Sequence, residues 1–163
     1  MDQSENRNAP VITPGQTLKG KKTMKNYQRF AKTLLQLLGS DTETRITSEG
    51  FILLSIEDIG HSPDGLWQIA ISHTGVQNGD LMRDSEMVFT LQEIGGITVA
   101  EPVSSRNDYM GILQEVYTYN GEGRRTHVNP RLKCELSSLT SIWFRNLKHQ
   151  GFLDKDAKKE RLA

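Results

Sequence analysis

Turn chemistry recurs at short intervals through the middle of this chain, and that spacing limits its fold more than any other feature. Ser62-Pro63-Asp64-Gly65 pairs a proline that presets φ at the second turn position with a glycine placed after an aspartate. Asn78-Gly79-Asp80, Gly95-Gly96 and Asn120-Gly121 repeat the signal, the last as a hairpin-type pair. Between these turns the side chains alternate. Trp67, Ile69 and Ile71 oppose Gln68, Ala70 and Ser72, and Met87, Phe89 and Leu91 point one way along Glu86–Gln92. The apolar run Phe51–Ile56 reads as a central strand covered on both faces, and Arg45–Thr47 as a short one. Ile97–Val103, ending near Pro102, one long strand over Tyr109–Tyr119, and a short one near Thr126–Val128 complete the pattern. Such a sequence folds as an antiparallel meander.

Helical periodicity brackets the strands. From Met24 to Leu38, the residues Tyr27, Phe30, Ala31, Leu34, Leu35 and Leu38 recur at spacings of three and four, with Lys25, Arg29 and Lys32 on the other side and Gly39 as a stop. Asn129 caps a second helix with Pro130 in its first position, and Gly151 ends it. Its apolar stripe reads Leu132, Leu136, Leu139, Trp143 and Leu147, with Cys134 as a small core residue and His127 and His149 exposed. The expected fold is α+β: an N-terminal helix, an antiparallel meander of about five to six strands, and a C-terminal helix packed on one face of the sheet. Residues 1–22 read as a disordered tail, 23–152 as a single domain, and 153–163 as a charged tail that frays or extends as an exposed helix.

The totals narrow the function classes. A chain of 163 residues can bury a core without staples, and its hydrophobic content of 36% suggests that part of the length lies outside that core. The single cysteine, Cys134, permits no internal disulfide and fits a reducing, cytoplasmic setting. No apolar run approaches the ~20 residues that span a membrane, and the polar N-terminus has no secretory signal pattern. A net charge of zero hides a segregation: residues 1–33 carry +5, 34–122 carry −11, and 124–163 carry +6. Acidic strands and basic helices can attract each other within one fold. Alternatively the basic surface serves nucleic acid, or the acidic one repels or imitates it.

The stretch His73–Gln92 holds the densest mix of turn residues and carboxylates. Asp80, Asp84 and Glu86, with His73 nearby, are the oxygen-rich set that a Mg²⁺-dependent nuclease would use to activate water. The competing reading is a turn in which Asn78 and Asp80 bond their own backbone. Asn107, Asp108 and Tyr109 precede the long strand, and Gln114 and Glu115 point to opposite faces of it, so one of them meets the helix-covered side. The candidate binding set is therefore Asn78, Asp80, Asp84, Glu86, Asn107, Asp108, Tyr109, Gln114 and Glu115. For nucleic acid the candidates are Lys25, Arg29, Arg131, Arg145 and Lys148 on the helices. A nucleophile elbow, a phosphate loop, a zinc pattern and a dinucleotide fingerprint are all missing from the sequence, so no catalytic residue, metal ligand or cofactor is assigned.

Several phrases carry a family resemblance: Asn78-Gly79-Asp80-Leu81-Met82-Arg83-Asp84-Ser85-Glu86-Met87-Val88-Phe89, Asn107-Asp108-Tyr109 with Gly111, Gln114-Glu115-Val116-Tyr117, and Trp143-Phe144-Arg145-Asn146-Leu147. Over roughly residues 24–150 the chain resembles a bacterial domain family of unassigned function. Ser85 stands where that family usually has proline. The resemblance implies carriage on plasmids and integrative mobile elements, beside genes for antirestriction and DNA handling. It brings no activity. The expected role is a non-enzymatic accessory protein that binds another protein, anti-defence included. The alternatives are nucleic-acid binding through basic helices, and a metal-dependent nuclease-like enzyme using Asp80, Asp84 and Glu86. Another protein is the expected partner, nucleic acid the second choice, and no membrane is expected.

Overall fold

The computed structural model describes residues 18–162. The first helix, α1 (Leu18–Leu38), begins inside the segment expected as a tail, while residues 1–17 of that segment lie outside the described residues. It buries Tyr27, Phe30, Ala31, Leu34, Leu37 and Leu38. The expected inward face is thus right in all but one place, where Leu37 is buried and Leu35 only half so.

Six strands follow as a meander: β1 (Glu43–Thr47), β2 (Leu54–His61), β3 (Trp67–Gln77), β4 (Asp80–Ile94), β5 (Ile97–Asn107) and β6 (Ile112–Glu115). Each pairs antiparallel with the next. A separate hairpin, β7 (Tyr117–Tyr119) with β8 (Arg125–Val128), leads into α2 (Pro130–His149). The chain then returns as β9 (Lys158–Leu162) and pairs with β1, giving a seven-stranded sheet in the order β6-β5-β4-β3-β2-β1-β9. The architecture is the α+β arrangement expected from the sequence.

Both helices cover the same face of the sheet. Phe30 of α1, Phe89 of β4 and Phe144 of α2 meet with ring centroids 6.3 Å (Phe30–Phe89) and 5.7 Å (Phe30–Phe144 and Phe89–Phe144) apart. The buried stripe of α2 is Leu132, Leu136, Thr140, Phe144 and Leu147. It is turned from the expected one: Leu139 is 52% exposed, Trp143 half-buried, and Cys134 lies at the surface. Phe144 fills the gap between Phe30 and Phe89, and Thr140 tolerates burial because its hydroxyl donates to the Leu136 carbonyl at 2.7 Å.

Four further expectations are corrected. Phe51 and Ile52 are exposed, because the Phe51 amide closes a turn onto the Ser48 carbonyl at 3.0 Å and β2 starts only at Leu54. Strand β5 runs on past Pro102 to Asn107. The register slips opposite Val88 and Phe89, a bulge that accommodates a residue lacking an N–H. The long strand Tyr109–Tyr119 is broken at Val116. Its amide donates to Val103 (2.8 Å) and its carbonyl accepts from Asn129 (2.7 Å), so the chain leaves one sheet for the other. The expected charged tail is neither frayed nor helical over Lys158–Leu162 but forms β9.

The β7–β8 hairpin is tied to β5 and α2 by polar groups. Glu101, 2% exposed, accepts from the Tyr117 hydroxyl and lies 3.3 Å from Lys133 Nζ. Arg125 sits 3.8 Å over the Tyr117 ring with its Nε 2.9 Å from Asp64. Burial beside Glu101 pushes the Tyr117 phenol well above its ordinary value, so it stays a donor.

Candidate interaction surface

The β3–β4 turn is a two-residue hairpin. Asn78 (φ 54°) and Gly79 (φ 85°) both adopt positive φ, as a type I′ turn demands, and Gln77 faces Asp80 across it. The side chain of Asp80 lies outside the described residues. Asp84 is the extra residue of a bulge, since Arg83 faces Thr74 while Ser85 faces His73.

Around Arg83 part of the predicted set comes together. Its Nε lies 2.8 Å from Glu86, and its amide donates to Asp108 Oδ2 at 3.0 Å. The Asp108 amide returns a bond to the Arg83 carbonyl at 2.9 Å, and Arg106 Nε donates to Asp108 Oδ1 at 2.6 Å. The Arg83 amide, with Arg106 beside it, holds the Asp108 carboxyl below the usual carboxylate range. Asn107 Oδ1 accepts from the Met110 amide at 3.2 Å and shapes the turn. Tyr109 lays its hydroxyl over Gly75, where an added Cβ would stand 3.2 Å away. The cluster clamps the far end of the β3–β4 hairpin to the β5–β6 turn, and arginines already compensate Glu86 and Asp108. Among the described residues no three His, Cys, Asp or Glu side chains are grouped to hold a metal ion.

Gln114 and Glu115 take no part in that clamp. All four residues of β6 are exposed, so neither side chain is buried against the helices; β6 is the last strand of the sheet, not a central one. The two edges of the sheet differ. Strand β9 has the sequence KKERL, and such charges discourage further pairing. Strand β6, ILQE, opens on Ile112 (40% exposed) and Leu113 (61%), and follows the exposed Tyr109 and Met110.

Beside the β6 edge the helix layer leaves a notch of about 320 Å³, bordered by Met87, Ser105, Leu139, Ile142 and Trp143 with His73 at its base. Ser105 pairs with Gln114 and with Met87, so Ile112 and Gln114 lie on the same face as this notch. Trp143 Nε1 donates to His73 Nε2 at 3.2 Å, while His73 Nδ1 lies 3.1 Å from the Ile52 carbonyl. Burial lowers the His73 pKa, which favours the neutral ring that can accept from Trp143.

The basic candidates divide. Arg29, Arg145 and Lys148 line one groove between α1 and α2, joined by Lys22 from the part of α1 expected to be tail. Lys25 is exposed on α1 outside that lining, and Arg131 sits in the first turn of α2 with its Nε 3.1 Å from Glu135. Sequence reasoning placed Lys22 in a solvated tail and Leu139 on the buried stripe, left Ile142 off that stripe without a surface, and missed Met110. Adjacent apolar residues at Ile112-Leu113, which put an apolar side chain on each face of a short strand, were the available signal for the edge.

A family model described as a domain of unknown function (DUF6908) matches residues 25–153. No curated protein and no solved structure matches the chain. No helix among the described residues is long and apolar enough to cross a membrane.

Proposed function

Since the chain belongs to this family of unknown function, which brings no activity with it, we propose its role from its geometry: a non-enzymatic module that binds another protein. The occupant is an extended segment of that partner, added as a strand to β6. One observation carries this reading: the sheet ends on an edge that is uncharged over Ile112–Gln114 and apolar at Ile112 and Leu113, beside a notch lined by Leu139, Ile142 and Trp143. An added strand would satisfy the outward amides and carbonyls of β6, and every second side chain would face the notch. The resemblance to domains of mobile elements suggests that the partner belongs to such an element's host or rival machinery. The metal-dependent reading finds less support, because Glu86, one of its three carboxylates with Asp80 and Asp84, is engaged by Arg83.

A photo-crosslinking residue placed at Met110 or at Leu113, in the native host, tests this. One discrete protein adduct is expected from both positions, none from Lys159 on β9, and Ile142→Asp should abolish it. Equal labelling from Lys159, or an adduct made only of a second copy of this chain, overturns the proposal.

A further inference from the structure

We propose that the groove between α1 and α2 is a second binding site, which takes the phosphate backbone of a nucleic acid without reading its bases. Lys22 and Arg29 from α1 face Arg145 and Lys148 from α2 across a cavity of about 540 Å³. Asn26, Thr33 and Ser141 stand between them as neutral polar groups, and among the described residues no carboxylate lines the groove. Among the described residues, none of the four cations is in ion-pair contact with an acid. This contrasts with Arg131, Arg106 and Arg83, each of which is paired.

Four like charges held together without counter-charges cost free energy unless a polyanion relieves them. From Lys22 to Thr33 the wall on α1 extends about 16 Å at the ~1.5 Å rise of a helix. One strand of duplex DNA presents a charge every ~3.4 Å along its axis, so several phosphates match the groove. The floor decides the mode of binding. Phe30 and Phe144 are buried in the core, so no aromatic face stands free for a base to stack on.

The choice of nucleic acid over an acidic protein rests on what the groove lacks. Protein interfaces are anchored by exposed apolar or aromatic side chains. Among the described residues, the exposed large apolar side chains all lie elsewhere, for example Tyr109, Met110 and Leu113 by the β6 edge and Leu139 and Ile142 on the other flank of α2. The acidic middle of the chain, at −11 over residues 34–122, builds the strands and would turn the sheet away from a polyanion.

The test is fluorescence anisotropy of labelled random-sequence duplex and single strand with the full chain, between about 50 and 200 mM salt. Binding is expected to weaken steeply with salt and to ignore sequence. Arg29→Ala with Arg145→Ala should weaken it about tenfold and flatten the salt slope by roughly two. Arg131→Ala should leave it within about twofold, because that side chain is outside the groove. Thermal melting of each variant checks that the fold is intact. The proposal is overturned if neither nucleic acid binds in a salt-dependent way. It is also overturned if the groove variants bind as the parent does, since Lys19 and Lys21 of the N-terminal segment would then carry the affinity. Tighter binding to polyglutamate or to phosphatidylglycerol vesicles than to duplex overturns it equally. The strand-addition reading at β6 stands or falls separately, through its own crosslink.

Discussion

Gly123 shows how a single missing methyl group fixes the β7–β8 loop. It has φ of 79°, and a Cβ there would fall 2.3 Å from the Pro63 carbonyl oxygen. Gly123→Ala should therefore cost about 2–4 kcal/mol in urea unfolding, from left-handed strain plus the clash. Gly121→Ala, where nothing lies within 4 Å, should change stability by no more than about 0.5 kcal/mol. The sequence pointed to Asn120-Gly121, and Asn120 does organise the loop, accepting from the amides of Glu122 (2.9 Å) and Arg124 (3.0 Å). Its neighbour Gly121 was the wrong glycine, because the close approach of Pro63 comes from sixty residues earlier in the chain. His73 offers a second test at this scale. Burial lowers its pKa from the usual 6.5, so the unfolded chain takes up the proton first. Its contribution to stability is complete above pH ~6.5 and is lost as the pH falls through that value toward the folded-state pKa. His73→Gln should flatten the pH dependence of the unfolding midpoint below ~6.5, and a variant with an unchanged slope would place the titration elsewhere.

At the scale of elements, strands and helices were largely legible while their facing and continuity were not. In α2 two stripes fit the periodicity almost equally, and hydrophobicity alone chooses Leu139 and Trp143 over Thr140 and Phe144. The choice is made by Phe30 and Phe89, which belong to other elements. Phe144→Ala should therefore destabilise by about 3–5 kcal/mol and Leu139→Ala by no more than about 0.5 kcal/mol. The reverse order in chemical denaturation would restore the stripe read from sequence. The break at Val116 was hidden for a similar reason: alternation continues through it, and only the Val103 and Asn129 partners redirect the chain. Strand β9 was hidden because its composition suits an exposed edge as well as a solvated tail.

For the molecule as a whole, the segregation of charge was readable from the chain, but not where it would gather, and α2 now stands between the two proposed surfaces. Around its buried stripe, Leu139 and Ile142 flank the notch by β6 while Ser141, Arg145 and Lys148 flank the groove with α1. A helix that serves two sites either transmits binding from one to the other or insulates them. Leu136, Thr140, Phe144 and Leu147 are packed in the core between the two flanks, and Leu147 and Thr140 are fully buried. Close-packed cores resist small displacements, so α2 should insulate. The prediction is a double-mutant cycle on duplex affinity with Arg145→Ala and Ile142→Ser. Arg145→Ala should weaken binding, Ile142→Ser should leave it unchanged, and the coupling between them should stay below about 0.5 kcal/mol, as for independent sites. A larger coupling would mean that α2 moves when either surface is occupied. The notch and the groove would then be two ends of one switch.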